Sequence, residues 1–181
     1  MMNVSNALWS QIRSVQDFPK PGICFYDLTP LFMSDIELLT DALVACLPAE
    51  ALENVDSFVA VEARGFVLAT LLSQRLGKGL LLVRKAGKLP PPVIGVGYSL
   101  EYGLDRLEMS ADIKPQNVII VDDVLATGGT LRAVKQLMDK CQHTVVGASI
   151  LLDLPDLHKD LGMKIWSVLD ETSRPVEAAV A

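Results

Sequence analysis

The chain has 181 residues, half of them apolar and 21% charged, which fits one globular domain and excludes a fibre, a disordered tail or a multidomain assembly. Only 6% are aromatic, and acidic residues outnumber basic ones 22 to 16 for a formal net charge of −6, so a nucleic-acid surface, with its stacking rings and basic excess, is not expected. Three cysteines without CxxC spacing (Cys24, Cys46, Cys141) exclude a disulfide scaffold or a zinc ribbon, and the lack of a long apolar run or a basic, apolar leader points to a cytoplasmic protein with no membrane partner.

In chain order, 5–15 reads as a short amphipathic helix and 17–30, with Pro19, Pro21, Gly22 and Pro30, as an irregular connector. Ser34 and Glu37 form a capping-box pattern opening a helix to about Leu47, which Pro48 ends. A buried strand is expected over 57–61, its crossover helix over 65–76 and a second buried strand over 80–83. Between 86 and 103, Gly87, three prolines at 90–92, Gly95, Gly97 and Gly103 predict a long loop. Strands follow at 104–109 and 117–121, then a helix over 129–140 and strands near 144–152 and 165–169. Alternating strands and helices imply an α/β fold with a parallel sheet covered on both faces.

The densest chemistry lies in Val118-Ile119-Ile120-Val121-Asp122-Asp123-Val124-Leu125-Ala126-Thr127-Gly128-Gly129-Thr130. Four branched apolar residues make a buried strand, and two carboxylates stand at its carboxyl end, where ligands bind in open α/β sheets. The turn from Ala126 to Thr130 enters a helix with two glycines and two threonine hydroxyls, a cradle for a phosphate. The carboxylates cannot hold that phosphate, but paired acceptors suit the vicinal hydroxyls of a ribose. A ribose 5-phosphate is the ligand this pattern describes. Competing phosphate motifs are missing: there is no GxxxxGK[ST], and Gly95-Val96-Gly97 is followed by Leu100 where a third glycine is needed.

This segment resembles the phosphoribosyl diphosphate (PRPP) signature of type I phosphoribosyltransferases, and other blocks narrow the resemblance to the adenine-specific branch. They are Asp17-Phe18-Pro19-Lys20-Pro21-Gly22-Ile23 with Asp27-Leu28-Thr29-Pro30, Glu62-Ala63-Arg64-Gly65-Phe66, Val83-Arg84-Lys85-Ala86-Gly87-Lys88-Leu89-Pro90, and Tyr98-Ser99-Leu100-Glu101-Tyr102-Gly103. The resemblance implies one domain over 1–181: a mostly parallel sheet flanked by helices, a small amino-terminal hood (1–33) that binds the base, and a flexible lid loop (86–103). It implies transfer of the phosphoribosyl group of PRPP to adenine, with Mg²⁺ carried chiefly by PRPP, no protein metal site and a homodimer.

Site residues follow from the same resemblance. Asp122 and Asp123 would hold the ribose hydroxyls, and Ala126, Thr127, Gly128, Gly129 and Thr130 the 5′-phosphate. Glu62, Ala63 and Arg64, with Arg84, Lys85 and Lys88, would receive the diphosphate, and a cis peptide is expected between Glu62 and Ala63. Cys24, Phe25, Tyr26, Asp27, Arg64 and Leu154 would form the adenine pocket. Glu101, beside Tyr102 in the lid, is the expected acid/base residue. The chain departs from the family pattern at Tyr26, where arginine is common, at Ala60-Val61-Glu62-Ala63 in place of Gly-Leu-Asp-Ser, and at Pro91 in place of glycine. Two alternatives stay open at this stage: a phosphoribosyltransferase for another purine base such as hypoxanthine or guanine, and a nucleotide-sensing regulator without turnover.

Overall fold

A computed structural model describes residues 3–100 and 103–175. Helix α1 (Val4–Trp9) is capped by Asn3, whose side chain accepts from the Ser5 N–H. The helix predicted over 5–15 stops at Trp9, because Arg13 turns extended to pair with Asp27: β1 (Arg13–Val15), from the end of the predicted helix, and β2 (Phe25–Asp27), from the stretch expected to be irregular, form an antiparallel ribbon. The partner lies across a long connection, which local periodicity does not register.

The capping box is also displaced by one residue. Ser34 closes α2 (Thr29–Ser34) by donating to the Leu31 carbonyl, and Asp35 caps α3 (Ile36–Ala45), its carboxylate accepting from the Leu38 N–H at 2.9 Å. Pro48, expected to end that helix, instead opens α4 (Ala49–Asn54), a position that suits a residue with no N–H to offer.

The remaining elements are β3 (Ser57–Val61), α5 (Gly65–Leu76), β4 (Gly79–Lys85), β5 (Val93–Leu100), β6 (Gly103–Ser110), β7 (Asn117–Leu125), α6 (Gly129–Lys140), β8 (Thr144–Asp153) and β9 (Ile165–Asp170). They build a seven-stranded sheet in the order β5-β6-β4-β3-β7-β8-β9. Strands β4, β3, β7, β8 and β9 are mutually parallel, while β6 runs antiparallel to β4 and β5. The glycine-rich stretch expected to be a loop over 86–103 thus supplies β5. Its prolines precede the strand, and a Cβ at Gly95 would strike the Arg106 guanidinium at 2.5 Å, so this glycine lets the β6 side chain cross its neighbour.

Both faces of the sheet are covered. On one, Phe58, Ala60, Ile119 and Val121 pack with Leu68 and Leu72 of α5 and Leu39 and Leu43 of α3. On the other, Val59, Val61, Val118 and Ile120 pack with Val134, Leu137 and Met138 of α6. Every residue of β3 is buried, as a central parallel strand requires.

Candidate active site

The strand order creates a switch point. From β3 the chain crosses through α5 to β4 on one side, and from β7 through α6 to β8 on the other, yet β3 and β7 are neighbours. A crevice therefore opens beyond their carboxyl ends, where ligands of open α/β sheets bind. The turns Glu62–Gly65 and Ala126–Thr130 flank it, and the Glu62–Ala63 peptide is cis, as the resemblance implied.

One glycine in each turn is required by geometry. A Cβ on Gly65 would lie 2.8 Å from the Val121 carbonyl oxygen, so its absence lets α5 begin against β7. Gly128 adopts φ +76°, and a Cβ there would meet Leu161 at 2.5 Å.

Asp122 and Asp123 stand at the end of β7. Asp123 is buried and lies 2.5 Å from Arg64 Nε, a charge pairing without an aligned hydrogen bond. The Asp123 N–H donates to Asp122 Oδ1 at 2.9 Å. Desolvation, reinforced by the adjacent Asp123 charge, pushes the Asp122 carboxyl well above the ordinary carboxylate range.

Arg64 connects this acidic pair to the amino-terminal ribbon. Its Nη1 donates to the Tyr26 carbonyl at 3.1 Å, and its guanidinium lies 5.3 Å from the Phe25 ring centre. Phe18 meets Phe25 edge-on at 5.1 Å. Cys24 is half-buried and accepts a weak bond from Gln16. The Asp27 carboxylate is engaged by the Thr29 N–H and by Arg13, and its pKa is lowered, chiefly by Thr29. Leu154, just past β8, is buried in the same core as Tyr26 and Leu28, its N–H donating to the Leu125 carbonyl.

The basic cluster lies at the end of β4. Arg84 approaches Glu62 at 3.3 Å and donates to the Lys88 carbonyl, and the Lys85 N–H donates to Glu62 at 3.0 Å. Burial raises the Glu62 pKa, but the Lys85 N–H, Arg84 and Lys88 outweigh it and leave the carboxyl below its usual range. Lys85 Nζ pairs with Asp105 at 3.3 Å, and the Tyr98 hydroxyl donates to the same carboxylate while lying against Thr130. Glu101 and Tyr102 lie outside the described residues.

The arrangement offers a ribose-sized acidic pair, a phosphate turn beside it and a group of cations one strand away. Residues 37–180 match the family model described as a phosphoribosyl transferase domain. The chain is 47% identical over 159 residues to the adenine phosphoribosyltransferase of Mycolicibacterium smegmatis, covering 85% of this chain and 86% of that protein. The chain belongs to the adenine phosphoribosyltransferase family. Its fold superposes on the solved adenine phosphoribosyltransferase of Rhodothermus marinus with a TM-score of 0.82 at 38% identity, over 92% of this chain and 98% of that one. The Saccharomyces cerevisiae enzyme, solved with adenine and an imino-altritol bisphosphate, gives 0.85 at 32% identity over 92% and 98%.

Family membership makes the protein a glycosyltransferase-class enzyme. Of the predicted site residues that are described, those of the two turns, β4 and β7 lie along the carboxyl edge of the sheet, and Phe25, Tyr26 and Asp27 lie on the ribbon. Residues that sequence reasoning missed are Tyr98 and Asp105, which bring β5 and β6 over Thr130 and Lys85. Asp105 falls in the predicted strand 104–109 and Tyr98 in a block that carries the resemblance, but neither position shows which neighbour its side chain meets. At position 26, where the chain departs from the family pattern, the Tyr26 carbonyl accepts from Arg64 and the residue is buried.

Proposed function

We propose that this chain transfers the 5-phosphoribosyl group of PRPP to adenine, giving AMP and diphosphate in purine salvage. The observation that carries the reading is the meeting, at the β3/β7 switch point, of the acidic pair, the Ala126–Thr130 turn and Arg64 held against Phe25 and the Tyr26 carbonyl. Asp122 and Asp123 accept from the ribose 2′ and 3′ hydroxyls. Ala126, Thr127, Gly128, Gly129 and Thr130 wrap the 5′-phosphate with N–H and hydroxyl donors. The diphosphate lies toward Glu62, Ala63 and Arg64, and toward Arg84, Lys85 and Lys88; Arg84 and Lys85 exchange their carboxylate partners, Glu62 and Asp105, for phosphate oxygens. Adenine lies by Phe25, with main-chain groups of Cys24 and Tyr26 reading its 6-amino edge, and Arg64 and Leu154 closing the pocket.

In the transfer, adenine N9 forms its bond to C1′ as the bond from C1′ to the diphosphate oxygen breaks, with inversion. The N9 proton passes to the Glu101 carboxylate, and the diphosphate leaves with the bonding electron pair. The fixed donors of the two turns stabilise the charge that separates along this path. The segment 86–103 excludes water as the lid, and residues 1–33 act as the hood of the single domain.

Among the described residues no group of three or more His, Cys, Asp or Glu side chains is set to hold a metal ion. Asp122 and Asp123 are the carboxylates that would help hold Mg²⁺ brought in on PRPP oxygens, and the ion would supply positive charge to the diphosphate. A homodimer is supported by exposed Leu80 and Leu82 on β4, which share the sheet face of α5 with exposed Val67. No helix among the described residues is long and apolar enough to cross a membrane. Similarity to adenine phosphoribosyltransferases supports a cytoplasmic enzyme.

The test is PRPP-dependent diphosphate release with adenine, hypoxanthine, guanine and xanthine in turn. Release with adenine alone is expected. Release with hypoxanthine alone would overturn the base assignment, and none with any base would leave a PRPP-binding regulator.

A further inference from the structure

The β1–β2 ribbon carries Phe25 and the Tyr26 carbonyl, yet it shares no ladder with the seven-stranded sheet. Its position over the sheet edge therefore depends on side chains. Besides Arg64, a second group of contacts comes from the opposite end of the chain, in the 3₁₀ turn Glu171–Ser173 and Arg174 after β9.

Tyr26 is 4% exposed, and its hydroxyl donates to the Glu171 carboxylate. Burial first, then Glu171, raises the phenol pKa, so the hydroxyl stays a donor at every working pH. Arg174 donates to Ser14 Oγ on β1 at 2.7 Å, and its guanidinium lies 5.6 Å from the Trp9 ring and 5.8 Å from the Tyr26 ring. Trp9 meets Tyr26 edge-on at 6.0 Å. Both strands of the ribbon are thus fastened to one turn at the far edge of the sheet.

We infer that the Glu171–Arg174 turn is a clamp that sets the geometry of the base pocket, with Glu171 and Arg174 as positioning residues acting through Tyr26. The inference rests on the reading of the pocket given above. Side chains alternate across a strand, so Tyr26 points into the clamp while its neighbour Phe25 points out toward Arg64. Rotation of Tyr26 therefore moves the ring and the carbonyl that face the base. The 5′-phosphate turn is carried by β7 and α6, elements that supply none of the clamp's side chains. Loosening the clamp acts first on the base, and reaches the PRPP side only through Arg64, which the Asp123 carboxylate holds independently of Tyr26.

Steady-state kinetics on the full chain with Tyr26→Phe, Glu171→Leu, Glu171→Gln and the Tyr26→Phe/Glu171→Leu pair test this. Loss of a charge-assisted bond predicts a rise of about tenfold in KM for adenine in Tyr26→Phe and in Glu171→Leu, with KM for PRPP changed by less than about twofold. Glu171→Gln keeps an acceptor oxygen and should restore the unsubstituted value, and the pair should be no worse than either single change. A parallel rise in both KM values, or additive losses in the pair, would overturn the clamp. Tyr26→Phe removes only a hydroxyl, so it carries the test if Glu171→Leu fails to fold. If the unsubstituted chain does not consume adenine, the pocket reading fails separately. The clamp is then judged by amide hydrogen exchange over Phe25–Asp27, which Tyr26→Phe should accelerate; unchanged exchange would rule it out.

Discussion

Asp122 and Asp123 are adjacent in sequence but differ in setting: one is half-buried with a raised pKa, the other is buried against Arg64. Replacing both with Asn removes two carboxylate charges, turns one acceptor oxygen of each into an N–H donor and leaves Arg64 without its counter-charge. The expected outcome is a rise in KM for PRPP of roughly tenfold or more. Glu101→Ala should instead lower kcat by about a hundredfold with a smaller change in KM, since it removes a proton acceptor used in the transition state. Equal losses in both parameters for both variants would contradict this division. His143 allows a test of stability away from the site. It is buried, its Nδ1 accepts from the Gln116 N–H, and desolvation lowers its pKa below 6.5. The unfolded chain binds that proton more readily, so stability should fall as pH drops below about 6.5 toward the folded pKa. Asp122, with its raised pKa, works in the opposite direction, whereas Asp27, Glu62 and Asp105, all lowered, lose their contribution only in more acidic solution. The urea midpoint compared at pH 7.5 and 5.5 should therefore drop more in the unsubstituted chain than in His143→Gln.

At the scale of elements, the two turns differ in what holds them. The start of α5 is fixed by backbone contact between Gly65 and β7, so a methyl group there meets a carbonyl oxygen that cannot move aside. Gly65→Ala should cost roughly 1–3 kcal/mol in urea unfolding and also weaken PRPP binding, because α5 carries Arg64 at its cap. At Gly128 the added methyl meets the flexible tip of Leu161, and the dominant cost is the left-handed backbone, about 1 kcal/mol. Gly128→Ala should thus raise KM for PRPP with a smaller loss of stability. A larger loss at 128 than at 65 would show that the packing argument is wrong.

For the molecule as a whole, a net charge of −6 coexists with Arg64, Arg84, Lys85 and Lys88 gathered at one sheet edge. The cations are local, and three of them sit against carboxylates, so the protein holds a small polyanion without a basic surface. The exposed Val67, Leu80 and Leu82 define the face expected to bury against a second copy. Leu80→Lys with Leu82→Lys should convert a dimer to a monomer in sedimentation velocity. A unchanged sedimentation coefficient would place the interface elsewhere.

The amino-acid sequence by itself determined the elements whose stability is local or whose burial is complete. The bounds of β3, α5 and α6 are legible because continuous apolar runs and a 3.6-residue period need no distant partner. The acidic pair and the glycine turn after β7 were legible for the same reason, as neighbours along the chain. Only the tertiary structure decided β1, β2 and β5, whose extended backbone depends on pairing with residues far off or across a hairpin, against a local composition that reads as helix or loop. It also decided that β3 lies beside β7, which converts two separated turns into one crevice, and that Tyr26 turns its carbonyl to Arg64 and its hydroxyl to Glu171. Sequence records which groups are present. Strand order and side-chain direction, set by burial across the whole sheet, determine which of them meet.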